Sequence, residues 1–273
     1  MYYRKFLPPP HLLSYIECFY IWETDFLHNP ILVESPPSGF CSMVFNYQQS
    51  YQVISAKHQS QFISTPQSFI TGQATKSYQL QLQGQIGMVG VVFKPSAIAS
   101  VFGLPMYEFV DERHDLRAVL GKEIDTIEAK IQDCVSHSKR IEVLSNYFSF
   151  KLLKAELKNT RIDYAANLIG EQNGLVNLSE LVDDMFVCRR QFERQFLVKV
   201  GVSPKYYARV RKISHLCKVI ASKRWNIDDW QELIFQNGYY DQAHFIKEFK
   251  SFTGKSPSYY LKNNIELANF LDS

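Results

Sequence analysis

The sequence predicts an α+β chain. An N-terminal β-barrel or sandwich with trailing helices is followed by an all-α C-terminal third. Three observations carry this reading. Short runs rich in Tyr, Phe, Val and Ile, bounded by Pro, Gly, Ser and Asn, recur up to about residue 94. After Pro95 the periodicity turns helical. The last hundred or so residues then repeat themselves at a shift of 53 positions.

The strands expected are YIECFYIWE (15–23), CSMVFNY (41–47), YQVIS (51–55), QSFITG (67–72), SYQLQLQ (77–83) and IGMVGVVF (86–93). SYQLQLQ alternates as a half-buried strand should. Helices are expected in PSAIASVFG, in GKEIDTIEAKIQDCVSH and over 138–157, where Ile141, Leu144, Phe148 and Leu152 share one stripe. Residues 1–157 thus read as one domain, 158–161 as a hinge, 162–264 as a second domain and 265–273 as a tail. The aromatics Tyr15, Phe19, Tyr20, Trp22, Phe40, Phe45 and Tyr47 read first as core and second as the lining of a pocket.

Composition excludes several classes. With 46% hydrophobic and 14% aromatic residues among 273, the chain folds. No apolar run approaches the ~18 residues of a membrane span. The opening MYYRKFLPPPHLLSYIE lacks a signal peptide's apolar block. Five scattered cysteines without C-x-x-C fit a reduced compartment, hence a cytoplasmic protein. His11, His28, His58, His114 and His137 are isolated, so neither a metal nor another cofactor is expected. GQIGMVG (84–90) is spaced for turns or bulges, not for a phosphate cradle. No local nucleophile–base set marks an enzyme. Residues 160–262 carry 16 Lys and Arg against 11 Asp and Glu, whereas the rest of the chain carries 14 against 16. That surplus suits a polyanion partner, and equally an ordinary solvated surface.

The repeat is more specific. Phe192, Phe196, Gly201, Ser203, Pro204, Tyr206 and Tyr207 fall on Phe245, Phe249, Gly254, Ser256, Pro257, Tyr259 and Tyr260. In each copy two Phe at i and i+4 share a buried helix face. A glycine then ends the helix, and Ser-Pro starts the next. NLSELVDDMF (177–186) and NIDDWQELIFQNG (226–238) supply a short helix ahead of each copy, with an Asn at each start able to cap it. Each unit is therefore a helix-turn-helix. The segment 203–223 has no breaker after Pro204 and predicts one helix of about 19 residues, roughly 28 Å long. That length holds the units about one DNA turn apart, roughly 34 Å.

GYYDQAHFIKEFKSFTGKSPSYY (238–260), with RRQFERQF, GVSP, Tyr207 and Arg211 in the first unit, closely resembles the DNA-binding domain of the AraC/XylS family. Met185 departs from the pattern where the second unit has Gly238, and Cys188 departs where a Ser cap is usual. The resemblance implies that the second helix of each unit contacts base edges. The DNA-contacting positions are then Arg189, Arg190, Glu193 and Arg194 in the first unit and Gln242, Ala243, His244 and Lys247 in the second. Their chemistry suits base readout, since Arg pairs with guanine, Gln with adenine and Glu with cytosine, and Ala meets a thymine methyl. ESPPSGFCSMVFNY and VVFKPSAIASVFGLPMYEFVDE resemble the cupin-like sensor domain of such regulators. The partners implied are double-stranded DNA, RNA polymerase, a small-molecule effector and a second copy in a homodimer, with no membrane. Two other classes stay open: an enzyme, such as a DNA-repair methyltransferase, carrying this module, and a protein–protein adaptor that has lost DNA binding.

Overall fold

The computed structural model describes residues 1–54, 61–155, 160–222, 227 and 229–262. Its β part is two antiparallel sheets. The larger has the order β1 (Tyr2–Phe6), β2 (Ile16–Glu23), β9 (Gly87–Phe93), β4 (Cys41–Asn46), β7 (Ser68–Thr71) and β10 (Arg113–Asp115). The smaller has the order β3 (Leu27–Ser35), β8 (Tyr78–Gly84), β5 (Gln52–Ile54) and β6 (Ile63–Ser64).

The larger sheet is buried on both faces, which is why β4 and β9 read as near-continuous apolar runs. Phe19, Ile21, Met43, Phe45, Val89 and Val91 pack toward the helices. Their neighbours Trp22, Val44, Phe69 and Met88 pack toward Val33, Val53, Leu80 and Leu82 of the smaller sheet. Strand parity thus sorts the aromatic residues into two sets.

Four helices close the helical side: α1 (Ala97–Phe102), α2 (Leu116–Leu120), α3 (Glu123–Asp133) and α4 (His137–Lys154). Helix α4 lays Leu144, Tyr147 and Phe148 on the sheet, and the Phe148 ring lies 5.3 Å from Phe93. Ser136 caps α4 through the Lys139 amide.

Four strands were not expected. β1 and β10 are edge strands with mixed polar sequence. β6 is two residues long, and β3 contains Pro30, where its register against β8 shifts. Because β10 joins the larger sheet, strands continue past residue 94.

Among the described residues the regular elements of the C-terminal third are all helices: α5 (Arg161–Glu171), α6 (Leu178–Asp184), α7 (Arg189–Val200), α8 (Pro204–Ser222), α9 (Trp230–Gln236), α10 (Gln242–Thr253) and α11 (Pro257–Lys262). The 19 residues of α8 match the helix expected between the units. Thr160 and Arg161 of the expected hinge are the cap and first residue of α5, with a reciprocal capping box to Asp163. Residues 158 and 159 of that hinge, and the tail 265–273, lie outside the described residues. So does Asn226, expected to cap the helix of the second unit. That helix is capped instead by Asp229, which accepts from the Gln231 and Glu232 amides at 2.8 and 2.9 Å.

The two parts are bolted together at several points. On one side Lys199 of α7 reaches Asp163 at 2.7 Å and Ser100 of α1 at 3.2 Å. Gly201, in the left-handed region at φ 95°, lies against the Met106 carbonyl so closely that a Cβ would sit 2.8 Å from it. On the other side Ser77 donates its amide to Phe252 O at 2.9 Å, and Tyr206 donates its hydroxyl to Thr75 O. Lys255 pairs with Glu34.

Burial would raise the Asp163 carboxyl, but hydrogen bonds from Lys199, Ser96 and Thr160 outweigh it and hold the group below its ordinary 3.8. A lowered folded-state value gives stability that is complete above the unfolded value and vanishes as pH falls through the folded one. Asp163→Asn is therefore expected to lower the urea midpoint at pH ~7 and to flatten the decline of stability below pH ~4. Urea titrations across that range check it, and an unchanged acid limb would refute it.

Candidate nucleic-acid interface

The two reading helices are built alike. In the first unit Phe192 and Phe196 are buried with ring centroids 5.8 Å apart, and Phe196 continues to Tyr207 at 5.9 Å. In the second, Phe245 and Phe249 are 5.7 Å apart, and Phe249 continues to Tyr260 at 5.5 Å. These pairs fix how each helix is rotated, so its other face must look outward. Helices α7 and α10 end alike, at Gly201 and Gly254 with φ 95° and 74°. Ser203 and Ser256 then start the next helix by accepting from the Tyr206 and Tyr259 amides.

All eight sequence-predicted contact residues are exposed: Arg189, Arg190, Glu193 and Arg194 on α7, and Gln242, Ala243, His244 and Lys247 at or near the start of α10. They differ in how free they are. Arg189 Nε lies 3.0 Å from Glu193 Oε1, so these two hold each other. His244 accepts from the Tyr240 amide at Nδ1, and its Nε2 lies 3.6 Å from Glu248. Glu248 is itself buried and paired with Arg209 at 3.0 Å. Among the described residues Arg190, Arg194 and Lys247 have no such partner. They are the cations most available to an incoming polyanion.

The turns ahead of the reading helices differ. Asp241 caps α10 through the His244 amide at 2.7 Å, whereas Cys188 makes no side-chain cap to α7. In the second unit Gly238 takes the left-handed turn position, φ 72°. In the first that conformation falls one place later in the alignment, on Phe186 at φ 50°, with its side chain 84% exposed. Arg161 supports this turn by donating to Met185 O at 2.7 Å, with its guanidinium 5.8 Å from the Phe186 ring. No pattern in the sequence marks that strain.

A second site lies between the two domains. A cavity of about 530 Å³ opens between the sheets and is closed in part by Ser214 and Lys218 of α8. Trp22, Tyr20 and Phe40 of the aromatic set line it, whereas Phe19, Phe45 and Tyr47 are core on the opposite face of the sheet. The loop from Ser35 to Phe40 runs from the cavity wall to α8. There Arg211 donates to Ser38 O at 3.3 Å, with its guanidinium 4.4 Å from the Phe40 ring. The cavity-lining charges Lys5, Arg113 and Lys218 carried no signal in the sequence.

Among the described residues no group of His, Cys, Asp and Glu could hold a metal ion, and no helix is long and apolar enough to cross a membrane.

Residues 181–263 match the family model described as a helix-turn-helix domain, which covers both turns and both reading helices. This part of the chain is a helix-turn-helix domain of the AraC type. Residues 4–115 match a domain of unknown function (DUF6597). Among solved structures, ToxT from Vibrio cholerae is similar at 12% identity, over 89% of this chain and 97% of that one, with a TM-score of 0.45. ToxT from V. cholerae strain SCE256, described as bound to an unsaturated fatty acid, is similar at 13% identity, over 89% and 94%, with a TM-score of 0.46. The AraC-like transcriptional activator CuxR is similar at 10% identity, over 78% and 94%, with a TM-score of 0.28. A comparison with curated proteins finds no match.

The turn of the second unit of this AraC-type domain disfavours a side chain. At Gly238 a Cβ would take the left-handed conformation and meet Leu175 Cδ2 at 2.8 Å. Gly238→Ala is expected to cost about 1–2 kcal/mol and to weaken duplex binding by misplacing α10. Chemical denaturation and fluorescence anisotropy check the two effects, and a variant as stable as the parent would contradict the turn geometry.

Proposed function

We propose that the chain is a sequence-specific regulator that inserts α7 and α10 into two successive major grooves of duplex DNA, and that an effector in the inter-domain cavity modulates it. The observation that carries the DNA reading is the matched pair of exposed polar helix faces, each locked by its own buried Phe pair and joined through one helix. In this reading Arg190, Arg194, Gln242 and Lys247 make the principal contacts. Glu193 and Arg189 act as a coupled pair, with the carboxylate free to accept from a cytosine amine only if Arg189 turns to a phosphate. His244 is held by Glu248 and the Tyr240 amide, so its part is to brace the start of α10. Residues 1–157 act as the sensor and 162–264 as the DNA-binding domain. A regulator is favoured over an enzyme because the exposed, chemically matched groups sit on the reading helices.

The effector reading is supported by the position of the cavity. A ligand there touches the Ser35–Phe40 loop and α8 at once, and α8 fixes the spacing of the reading helices. Occupancy can therefore alter DNA affinity without touching DNA.

The test is to recover the fragments of host DNA that the purified chain binds and sequence them. The expected result is two half-elements about ten base pairs apart. On such a site Arg190→Ala and Lys247→Ala are each expected to weaken binding by roughly 1–3 kcal/mol where they read a base, or to reduce the salt slope by about one where they neutralise a phosphate. Anisotropy titrations at several salt concentrations separate the two. Parent affinity and parent slope in both variants would sink the assignment of the reading helices.

A further inference from the structure

The chemistry of the cavity narrows what its ligand can be, an inference that rests on the cavity being an effector site. Six charged residues line it: Lys5, Arg113 and Lys218, and Glu17, Asp111 and Glu112. The acids have partners of their own. Glu17 lies 2.6 Å from Lys94, Asp111 accepts from the Thr75 amide at 2.7 Å, and Glu112 lies 3.7 Å from His114. The cations are not matched in the same way.

Arg113 is the most telling. It projects from β10 between the sheets, with its guanidinium 4.7 Å from the Tyr78 ring and 6.0 Å from the Phe69 ring. Burial raises the Tyr51 phenol, and the nearby Arg113 charge opposes that rise. The Arg113 Nε is buried without a hydrogen-bond partner, and among the described residues no carboxylate pairs with it. Burying a charge among aromatic rings is costly unless an opposite charge arrives. A guanidinium stacked on one ring still presents its edge, and that edge matches a carboxylate through two parallel N–H bonds.

The walls set the rest of the ligand. Trp22, Tyr51, Phe69 and Tyr78 offer flat surfaces to the same cavity as Arg113. Such surfaces hold a planar π-system better than a flexible chain, which would lose rotamer entropy on being held. At the mouth, Lys5 and Lys218 add positive potential. Burial, Lys5 and Arg211 all lower the Lys218 ammonium from its ordinary 10.5. The entrance therefore steers anions inward.

We propose that the cavity binds a planar, conjugated carboxylate, with its carboxylate on the Arg113 fork and its ring among Tyr78, Phe69, Tyr51 and Trp22. The volume of about 530 Å³ suits a compound of one to two rings.

Isothermal titration of the full chain with cinnamate, cinnamamide and octanoate tests this. Cinnamate is expected to bind, with the neutral amide and the flexible acid each at least about tenfold weaker, as loss of a charge-assisted pair or of the stacked ring predicts. Arg113→Gln is expected to abolish cinnamate binding. Arg113→Lys, which keeps the charge and guards against a misfolded Gln variant, is expected to weaken it several-fold. Cinnamamide as tight as the acid, octanoate as tight as cinnamate, parent affinity in Arg113→Lys, or no cinnamate binding at all would each overturn the proposal. Operator affinity measured with and without cinnamate keeps the two readings apart. Cinnamate that binds through Arg113 yet leaves DNA affinity unchanged removes the effector role and leaves the ligand class standing.

Discussion

The C-terminal third depends on one helix being apolar in more than one direction. Tyr207 and Ala208 of α8 belong to the core of the first unit, while Val210, Ile213, Leu216, Cys217 and Ile220 belong to that of the second. Both cores are therefore built on the same rigid rod, and neither reading helix can rotate without disturbing packing that the rod carries. Cys217 is part of this constraint. Burial pushes its thiol up to about 12, so it packs as a small apolar residue and not as a reactive one. A third side of α8 carries Arg211, Ser214 and Lys218 toward the N-terminal domain. Spacing of the reading helices and contact with the N-terminal domain are thus properties of one element.

That arrangement explains why the helix-turn-helix part was so readable and the N-terminal domain less so. Helix ends obey local rules. Asn177, Asp241, Ser203 and Ser256 cap, Gly201 and Gly254 stop, and each is visible in a window of a few residues. The interior strands β2, β4, β7, β8 and β9 were also legible, because burial on one face leaves a periodicity of two and burial on both leaves a near-continuous apolar run. Edge strands leave none, so β1, β3, β6 and β10 escaped.

The cavity was legible only as the second reading of the aromatic set, for a related reason. Tyr20 and Trp22 face it while Phe19 and Ile21 face the helices. The sequence shows the aromatic run, but only the second sheet decides which parity meets a void. Arg113 lies in a three-residue edge strand that no pattern announces, and its position over Tyr78 exists only because β10 pairs with β7.

The two helix-turn-helix units share a plan but not a source of stability. The second carries its signals locally: an aspartate cap on α10, a glycine at the left-handed turn, and Tyr239 turned inward against Phe245 at 5.4 Å. The first lacks the cap and sets a bulky aromatic, Phe186, in a conformation that disfavours it by ~1–2 kcal/mol. Such strain persists only where the surroundings over-determine it. Here they do, through Arg161 beneath the turn, the Lys199–Asp163 pair tied to Ser100, and the backbone of Met106 against Gly201. All but the first involve α7 or its C-cap, and two reach the N-terminal domain. The less ideal unit is thus the one whose reading helix leans on the N-terminal domain, so a shift in that domain reaches α7 through packing already present. The more ideal unit meets the N-terminal domain through α8, α10 and the turn after α10, where Tyr206, Arg211, Phe252 and Lys255 take hold. Both readers are coupled to the same domain by different means, and local helix signals weaken where tertiary contacts take over their work.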